Sequence, residues 1–282
     1  MIKDTVGKIY TFSTPKMVVG NGGKVYKGVS FLPETEAIFA RARTEGFTAP
    51  DIHIKKKINA LIYSLKCGGL WSKLACLYWG AYNSGTGFTN FRRINLRNPS
   101  GALAVHYGGV ALTNYGWLGN ALNGYVDTGF NPVLHGAGLY TQNNASIGAV
   151  VYQATVTGGN NQNIWSTASQ ITTVVNGVAS GQKINSTEML TVGRSFSGTG
   201  LKLHVRNDAS NVSFFPTNTV AAQVSTSLLN ENLNLMGGGT SSYSDVGVSC
   251  IFAGSAMVIE EYRLMQSILN NFFGSLSLNK IA

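Results

Sequence analysis

From Ile94 onward the chain is a series of short apolar or alternating runs broken by Gly, Asn and Pro. The clearest are Leu103–Tyr107, Val110–Thr113, Tyr125–Thr128, Ser146–Ala154, Ile171–Val175, Leu201–Arg206, Val212–Phe215 and Val248–Ala253. Alternation punctuated roughly every eight to twelve residues predicts short antiparallel strands joined by tight turns. In Leu201–Arg206 the apolar residues fall on one face and Lys202, His204 and Arg206 on the other. That pattern predicts a half-solvated strand with His204 on the exposed face.

The first third has a different period. Ile9-Tyr10, Val18-Val19 and Val25-Tyr26 are strand-like, and Asn21-Gly22-Gly23 between the last two is a hairpin signal. Three helices are then predicted. Pro33 and Glu34 open the first and Gly46 closes it. The second begins near Asp51, carries Ile54, Ile58, Leu61, Ile62 and Leu65 on one stripe with Lys55, Lys56 and Lys57 off it, and stops at Gly68-Gly69. Leu70–Trp79 is the third, and Ser84–Gly87 reads as a hinge. A final helix carries Tyr262, Met265, Leu269, Phe272 and Phe273 on its apolar stripe, with Glu260 and Glu261 in its first turn. The expected division is a hairpin-plus-helices module over 1–90 and a β-sandwich with a C-terminal helix over 91–282.

Composition supports a β-rich chain with many turns: charged residues make up 12%, and 34 of the 282 residues are Gly. The start, with Lys3 and Asp4, lacks the pattern of a signal peptide. Val246–Ile259, the most apolar run, is too short and too polar to span a bilayer. Cys67, Cys76 and Cys250 have no metal-like spacing and read as buried free thiols made in a reducing cytoplasm.

Charge separates the two halves more sharply. Residues 1–97 hold 15 Lys/Arg against 5 Asp/Glu, a net of +10, while 98–282 hold 6 against 7, a net of −1. A basic surface of this kind suits an acidic protein partner or plain solvation. Without a base-reading motif, nucleic acid is the weaker reading. Lys55, Lys56, Lys57, Arg92 and Arg93 are the candidate attachment surface.

Several short motifs occur in a telling order: Asn95-Leu96-Arg97-Asn98-Pro99, Tyr115-Gly116-Trp117, and Tyr125-Val126-Asp127-Thr128-Gly129-Phe130-Asn131-Pro132. Together with the helical lead-in Gly68-Gly69-Leu70-Trp71 and the closing helix, they resemble the concanavalin A-like (laminin-G-like) jelly-roll module of bacteriophage virion proteins, over roughly residues 34–282. The resemblance implies a mainly β protein: an antiparallel sandwich preceded by a small hairpin-plus-helices module and ended by a helix. It also implies a virion protein made in the host cytoplasm, joined to other virion proteins and assembled as a homo-oligomer.

The sequence carries no sign of catalysis. The Glu-x-Asp-x-x-Glu strand of glucanases with this fold does not occur, nor does a nucleophile elbow, a His-Glu-x-x-His or a phosphate-binding Gly loop. Asp127 before Thr-Gly reads as a turn residue; it could instead hold Ca²⁺, for which one isolated carboxylate is a poor start. Sandwich lectins stack an aromatic ring on a sugar and bond its hydroxyls with Asn and Asp, and Tyr115, Trp117, Trp165 and Tyr243 lie near such residues. The expected function is a non-enzymatic fibre, spike or tail-tip component whose sandwich contacts host-surface glycans. A shell or decoration protein making only protein–protein contacts is the alternative, and a polysaccharide-cleaving enzyme the weaker one. No cofactor is expected.

Overall fold

The computed structural model describes residues 2–3, 9–10, 17–19, 25–27, 30–81, 89–154, 163–166, 170–172, 180–188, 190–192, 198–228, 230–237 and 243–278. Two small antiparallel pairs come first: β1 (Ile2–Lys3) with β2 (Ile9–Tyr10), and β3 (Met17–Val19) with β4 (Val25–Lys27). The second pair is the expected hairpin; its Asn-Gly-Gly turn lies outside the described residues, as does the Ser84–Gly87 hinge.

Helix α1 (Pro33–Thr44) has Pro at its start and Glu34 and Glu36 in its first turn. Gly46, at a φ of 66°, follows it in the left-handed region where Cβ is unwelcome. Asp51 caps α2 (Ile52–Cys67) by accepting from the His53 and Ile54 backbone N–H groups at 2.8 and 2.9 Å. Of the expected stripe, Ile58, Leu61, Ile62 and Leu65 are buried and Ile54 is partly buried against the same core.

The expected third helix does not form. After a single 3-10 turn at Trp71–Lys73 the chain becomes strand β5 (Leu74–Trp79), every residue of which is buried. A continuous apolar run of this length suits a strand covered on both faces as well as a helix, and periodicity does not separate the two.

The sandwich follows. Its first strands are β6 (Val105–Tyr107), β7 (Ala111–Thr113), β8 (Gly116–Leu118) and β9 (Tyr125–Asp127), before the short α3 (Pro132–His135). Then come β10 (Ala145–Gln153), β11 (Asn163–Ser166), β12 (Gln170–Thr172), β13 (Ser180–Lys183), β14 (Leu190–Val192), β15 (Gly200–Arg206) and β16 (Asn211–Phe215). The chain closes with β17 (Thr219–Ala222), β18 (Asn234–Leu235), β19 (Gly247–Gly254) and α4 (Ile259–Ser275). One sheet runs β17-β16-β15-β10-β19-β8-β7, and the other β14-β13-β12-β11-β18-β9-β6. On the side away from β10, β19 pairs with β8 at Gly247–Val248 and with β5 at Cys250–Gly254. The protein is therefore mainly β, an antiparallel sandwich closed by a C-terminal helix. Along β9 and just past it, Val126 and Thr128 are buried while Tyr125 and Asp127 are partly exposed, the alternation of a strand with one covered face.

Two apolar cores lie on the two faces of the larger sheet. Between the sheets are Tyr78, Trp117, Val126, Ile147, Val212, Phe214, Leu235 and Ile251 among others. On the far side, Leu77, Trp79, Leu201, Leu203, Val205 and Phe252 pack under Ile58, Leu61 and Leu65 of α2 and Met265, Leu269 and Phe272 of α4. A boundary at 90/91 therefore cuts through a sheet and through one continuous core. Asn95 adds a polar tie across it: its Oδ1 accepts from the backbone N–H groups of Leu77, Arg97 and Asn98 at 3.1, 3.0 and 3.3 Å.

Strand β15 also differs from the expected half-solvated strand. Its alternation is real, but all seven residues are buried. Leu201, Leu203 and Val205 face the helical layer, so Lys202, His204 and Arg206 point between the sheets, not into solvent. His204 sits opposite Ile147 and Phe214 on the neighbouring strands, with its ring stacked on Phe214 at 4.7 Å. Arg206 is tied at the end of the sandwich. Its Nε donates to the Ile184 carbonyl at 2.8 Å, Nη1 to the Gln223 carbonyl at 2.7 Å, and Nη2 to Gln223 Oε1 at 2.9 Å. Removing it leaves buried acceptors unpaired, so Arg206→Ala is expected to cost about 3–5 kcal/mol in urea unfolding. An unchanged urea midpoint would show that this bridge contributes nothing.

Candidate functional site

Strands β6 and β9 pair with Tyr107 directly opposite Tyr125. Because side chains alternate along a strand, His106 and Val126 turn inward and both tyrosines turn outward. Their rings stack at 4.7 Å with planes 12° apart, and Tyr243 approaches Tyr125 at 6.3 Å. Tyr107 is 42% exposed, so one end of this aromatic surface is open. Burial, followed by the neighbouring Tyr107, Asp127 and Tyr243, raises the pKa of the Tyr125 hydroxyl above its ordinary value. At neutral pH it is an O–H donor.

Polar groups flank the rings on the same face. Asp127 is two residues from Tyr125 along β9, and Asn234 on β18 lies opposite Asp127. The Asp127 carboxylate accepts from the Gly129 backbone N–H at 2.8 Å and from Asn232 Nδ2 at 3.0 and 3.2 Å. These donors fix the turn after β9 and aim N–H groups at the oxygens a cation would need. Among the described residues no group of three or more His, Cys, Asp or Glu side chains could hold a metal ion. Asn234 Oδ1 is buried and has no hydrogen-bond partner among the described residues.

Beneath the platform the sheets are tied together. Trp117 Nε1 on β8 donates to His106 Nε2 on β6 at 3.0 Å. Burial, then Arg93 and Arg92, holds the His106 pKa down at about 4, so the ring is a neutral acceptor at physiological pH.

Of the four expected sugar-stacking residues, Tyr243 joins this platform. Trp117 does not: it is completely buried between the sheets, so neither ring face is open to a ligand. Tyr115 is 42% exposed but stands apart, in the β7–β8 turn, tilted against Tyr152 at 5.7 Å. Trp165 lies on β11 opposite Leu235, and its side chain is outside the described residues. Tyr107, Tyr125, Asn232 and Asn234 were not expected. The outward parity of Tyr125 was readable, but its pairing with Tyr107 depends on strand register.

The expected attachment surface is only partly a surface. Lys56 is exposed, Lys55 lies over the Phe39 ring at 5.1 Å, and Lys57 Nζ donates to the Ser275 carbonyl. Arg93 donates to the Ala104 carbonyl at 2.7 Å and covers the Phe47 ring. Arg92 is buried and donates to the Thr113 carbonyl at 2.8 Å, which removes it from any docking face.

No protein-family model matches this chain, and no curated protein sequence does. Among solved structures it is similar to the Trypanosoma rangeli sialidase in complex with sialic acid, at 9% identity and a TM-score of 0.41, over 76% of this chain and 38% of that one. The binding domain of botulinum neurotoxin DC in complex with rat synaptotagmin II is similar at 11% identity and a TM-score of 0.45, over 70% of this chain and 52% of that one. The binding domain of botulinum neurotoxin serotype D is similar at 11% and 0.45, over 71% and 52%. The chain thus spans about two fifths to half of these proteins' own length.

Proposed function

We propose that this chain is a non-enzymatic carbohydrate-binding component of a virion, assembled in the host cytoplasm, with Tyr107, Tyr125 and Tyr243 as the stacking surface for a sugar. The observation that carries this reading is the open aromatic surface beside Asp127, Asn232 and Asn234, whose Oδ1 has no partner among the described residues. Rings take the apolar face of a pyranose, and Asn and Asp accept from its hydroxyls. The virion setting is supported by the sequence resemblance and not by the fold. In it, the helical N-terminal third attaches the chain to other virion proteins, and a homo-oligomer presents the platform in many copies. Copy number matters because one shallow site holds a sugar at about −4 kcal/mol, which is millimolar. Several copies engaged together bind far more tightly.

A glycan array probed with the full chain in multimeric display tests this. Wild type is expected to bind, and Tyr125→Ala or Tyr107→Ala to weaken binding about tenfold, the loss of about 1.4 kcal/mol of ring contact. Absence of binding in multimeric display would leave the shell or decoration role. New reducing ends released from host envelope polysaccharide would make the protein an enzyme.

A further inference from the structure

Helices α2 and α4 run antiparallel across the outer face of the larger sheet. Lys57 near the start of α2 meets Ser275 at the end of α4, while a Cβ on Gly68 after α2 would touch Leu264 near the start of α4. Between them lies a groove of about 250 Å³. Its α2 wall carries Lys56, Lys57, Ala60 and Leu61, and its α4 wall Ile268 and Phe272. Those positions recur at three- and four-residue spacing, so each helix presents one continuous stripe to the groove. Leu61, Ile268 and Phe272 are mostly covered and form an apolar floor, while Lys56 and Ala60 on the rim are exposed. Ala60 keeps the wall low; a larger side chain there would close it.

The volume limits the occupant. It falls below the roughly 300 Å³ at which small-molecule pockets begin, leaving room for one or two side chains of a docked segment. Charge limits it further, because the lining holds two lysines and no carboxylate. The positive start of α2 and the negative end of α4 lie side by side and largely offset one another, so the lysines set the sign of the groove.

We propose that the α2–α4 groove is a docking site for an acidic peptide segment of another protein, one that places an apolar or aromatic side chain on Leu61, Ile268 and Phe272 and its carboxylates beside Lys56. This site lies on the helical layer, apart from the tyrosine platform, and stands whether or not that platform binds sugar. Burial of the anchoring side chain is insensitive to salt, whereas the carboxylate–lysine contacts weaken as the Debye length falls from about 10 Å at 0.1 M to about 3 Å at 1 M.

The probe is a fluorescein-labelled peptide of glutamates carrying one leucine and one phenylalanine, titrated with the full chain and followed by anisotropy. Saturable binding is expected, several-fold weaker at 1 M salt but not abolished. Lys56→Glu is expected to weaken it at least tenfold, and Ala60→Phe, which fills the groove, to remove it. Should Ala60→Phe fail to fold, Asn271→Trp on the exposed opposite rim does the same job. No binding to the wild-type chain, or binding unchanged in Lys56→Glu and in the filled variant, overturns the proposal. So does concentration-dependent self-association that only the filled variant loses, which would make a second copy the occupant. Binding to phosphatidylserine vesicles without binding to the peptide would make the surface one for lipid.

Discussion

A chain lacking residues 1–90 is expected to accumulate as insoluble protein or as a soluble chain with no cooperative thermal transition. The deletion removes β5, and with it the hydrogen-bond partners of Cys250–Gly254 in a strand buried along its whole length. It also strips α1 and α2 from the outer face of the sheet, uncovering Leu203, Val205, Phe252, Met265 and Phe272. Among the deleted residues, Ile38, Phe39, Ile58, Leu61, Ile62, Leu65, Leu77 and Trp79 are all nearly or fully buried. At about 1.5–3 kcal/mol for each of these eight side chains, their burial is worth about 12–24 kcal/mol before entropy is counted. Net stability of a domain is about 5–15 kcal/mol, so a loss of this order, only partly offset by the ordering entropy that the deletion also removes, is expected to leave the remainder unable to fold. Differential scanning calorimetry of the 91–282 fragment beside the full chain decides the matter. A sharp transition in the fragment would show that the helical layer is a separable module.

The elements of the sandwich were legible in the sequence because strands and tight turns leave local signals. β10, β15, β16 and β19 fall within a residue or so of their expected positions. Long-range facts were not legible, for two physical reasons. Leu74–Trp79 is apolar at every position because both of its faces are covered, which erases the period that would mark it as a strand. In β15, alternation shows that the two faces differ but not which faces water. The apolar face meets α2 and α4, so the basic face is enclosed between the sheets. A similar limit applies to the candidate site. Asp127-Thr128-Gly129 announced its turn correctly, with the carboxylate accepting from the Gly129 N–H. The aromatic platform was missed because Tyr107, Tyr125 and Tyr243 come from three separate segments and meet only once register is fixed.

Enclosing that basic face has a consequence in acid: stability is expected to fall steeply between pH 6.5 and 4. His204 is completely buried, and neither ring nitrogen has a hydrogen-bond partner among the described residues. Burial first, and Arg206 second, depress its pKa to about 3, while His106 is held at about 4. In the unfolded chain both titrate near 6.5. Above that pH neither state carries the extra protons, and these two groups add no pH dependence. Between 6.5 and 4 the unfolded chain takes up protons that the native state refuses, so each histidine withdraws about 1.4 kcal/mol per pH unit. Below about 4 the loss from His106 levels off, and that from His204 continues to about 3. The combined loss exceeds about 5 kcal/mol, comparable to the whole net stability of a domain. His204→Leu removes one of the two groups together with two nitrogens that have no partner among the described residues. It is therefore expected to keep or raise stability at pH 7 and to lower the slope of stability against pH by about half. Urea titrations of both proteins at pH 7, 6, 5 and 4 give the two slopes directly. Parallel slopes would show that His204 finds a proton acceptor in the native sandwich and titrates there as it does in the unfolded chain.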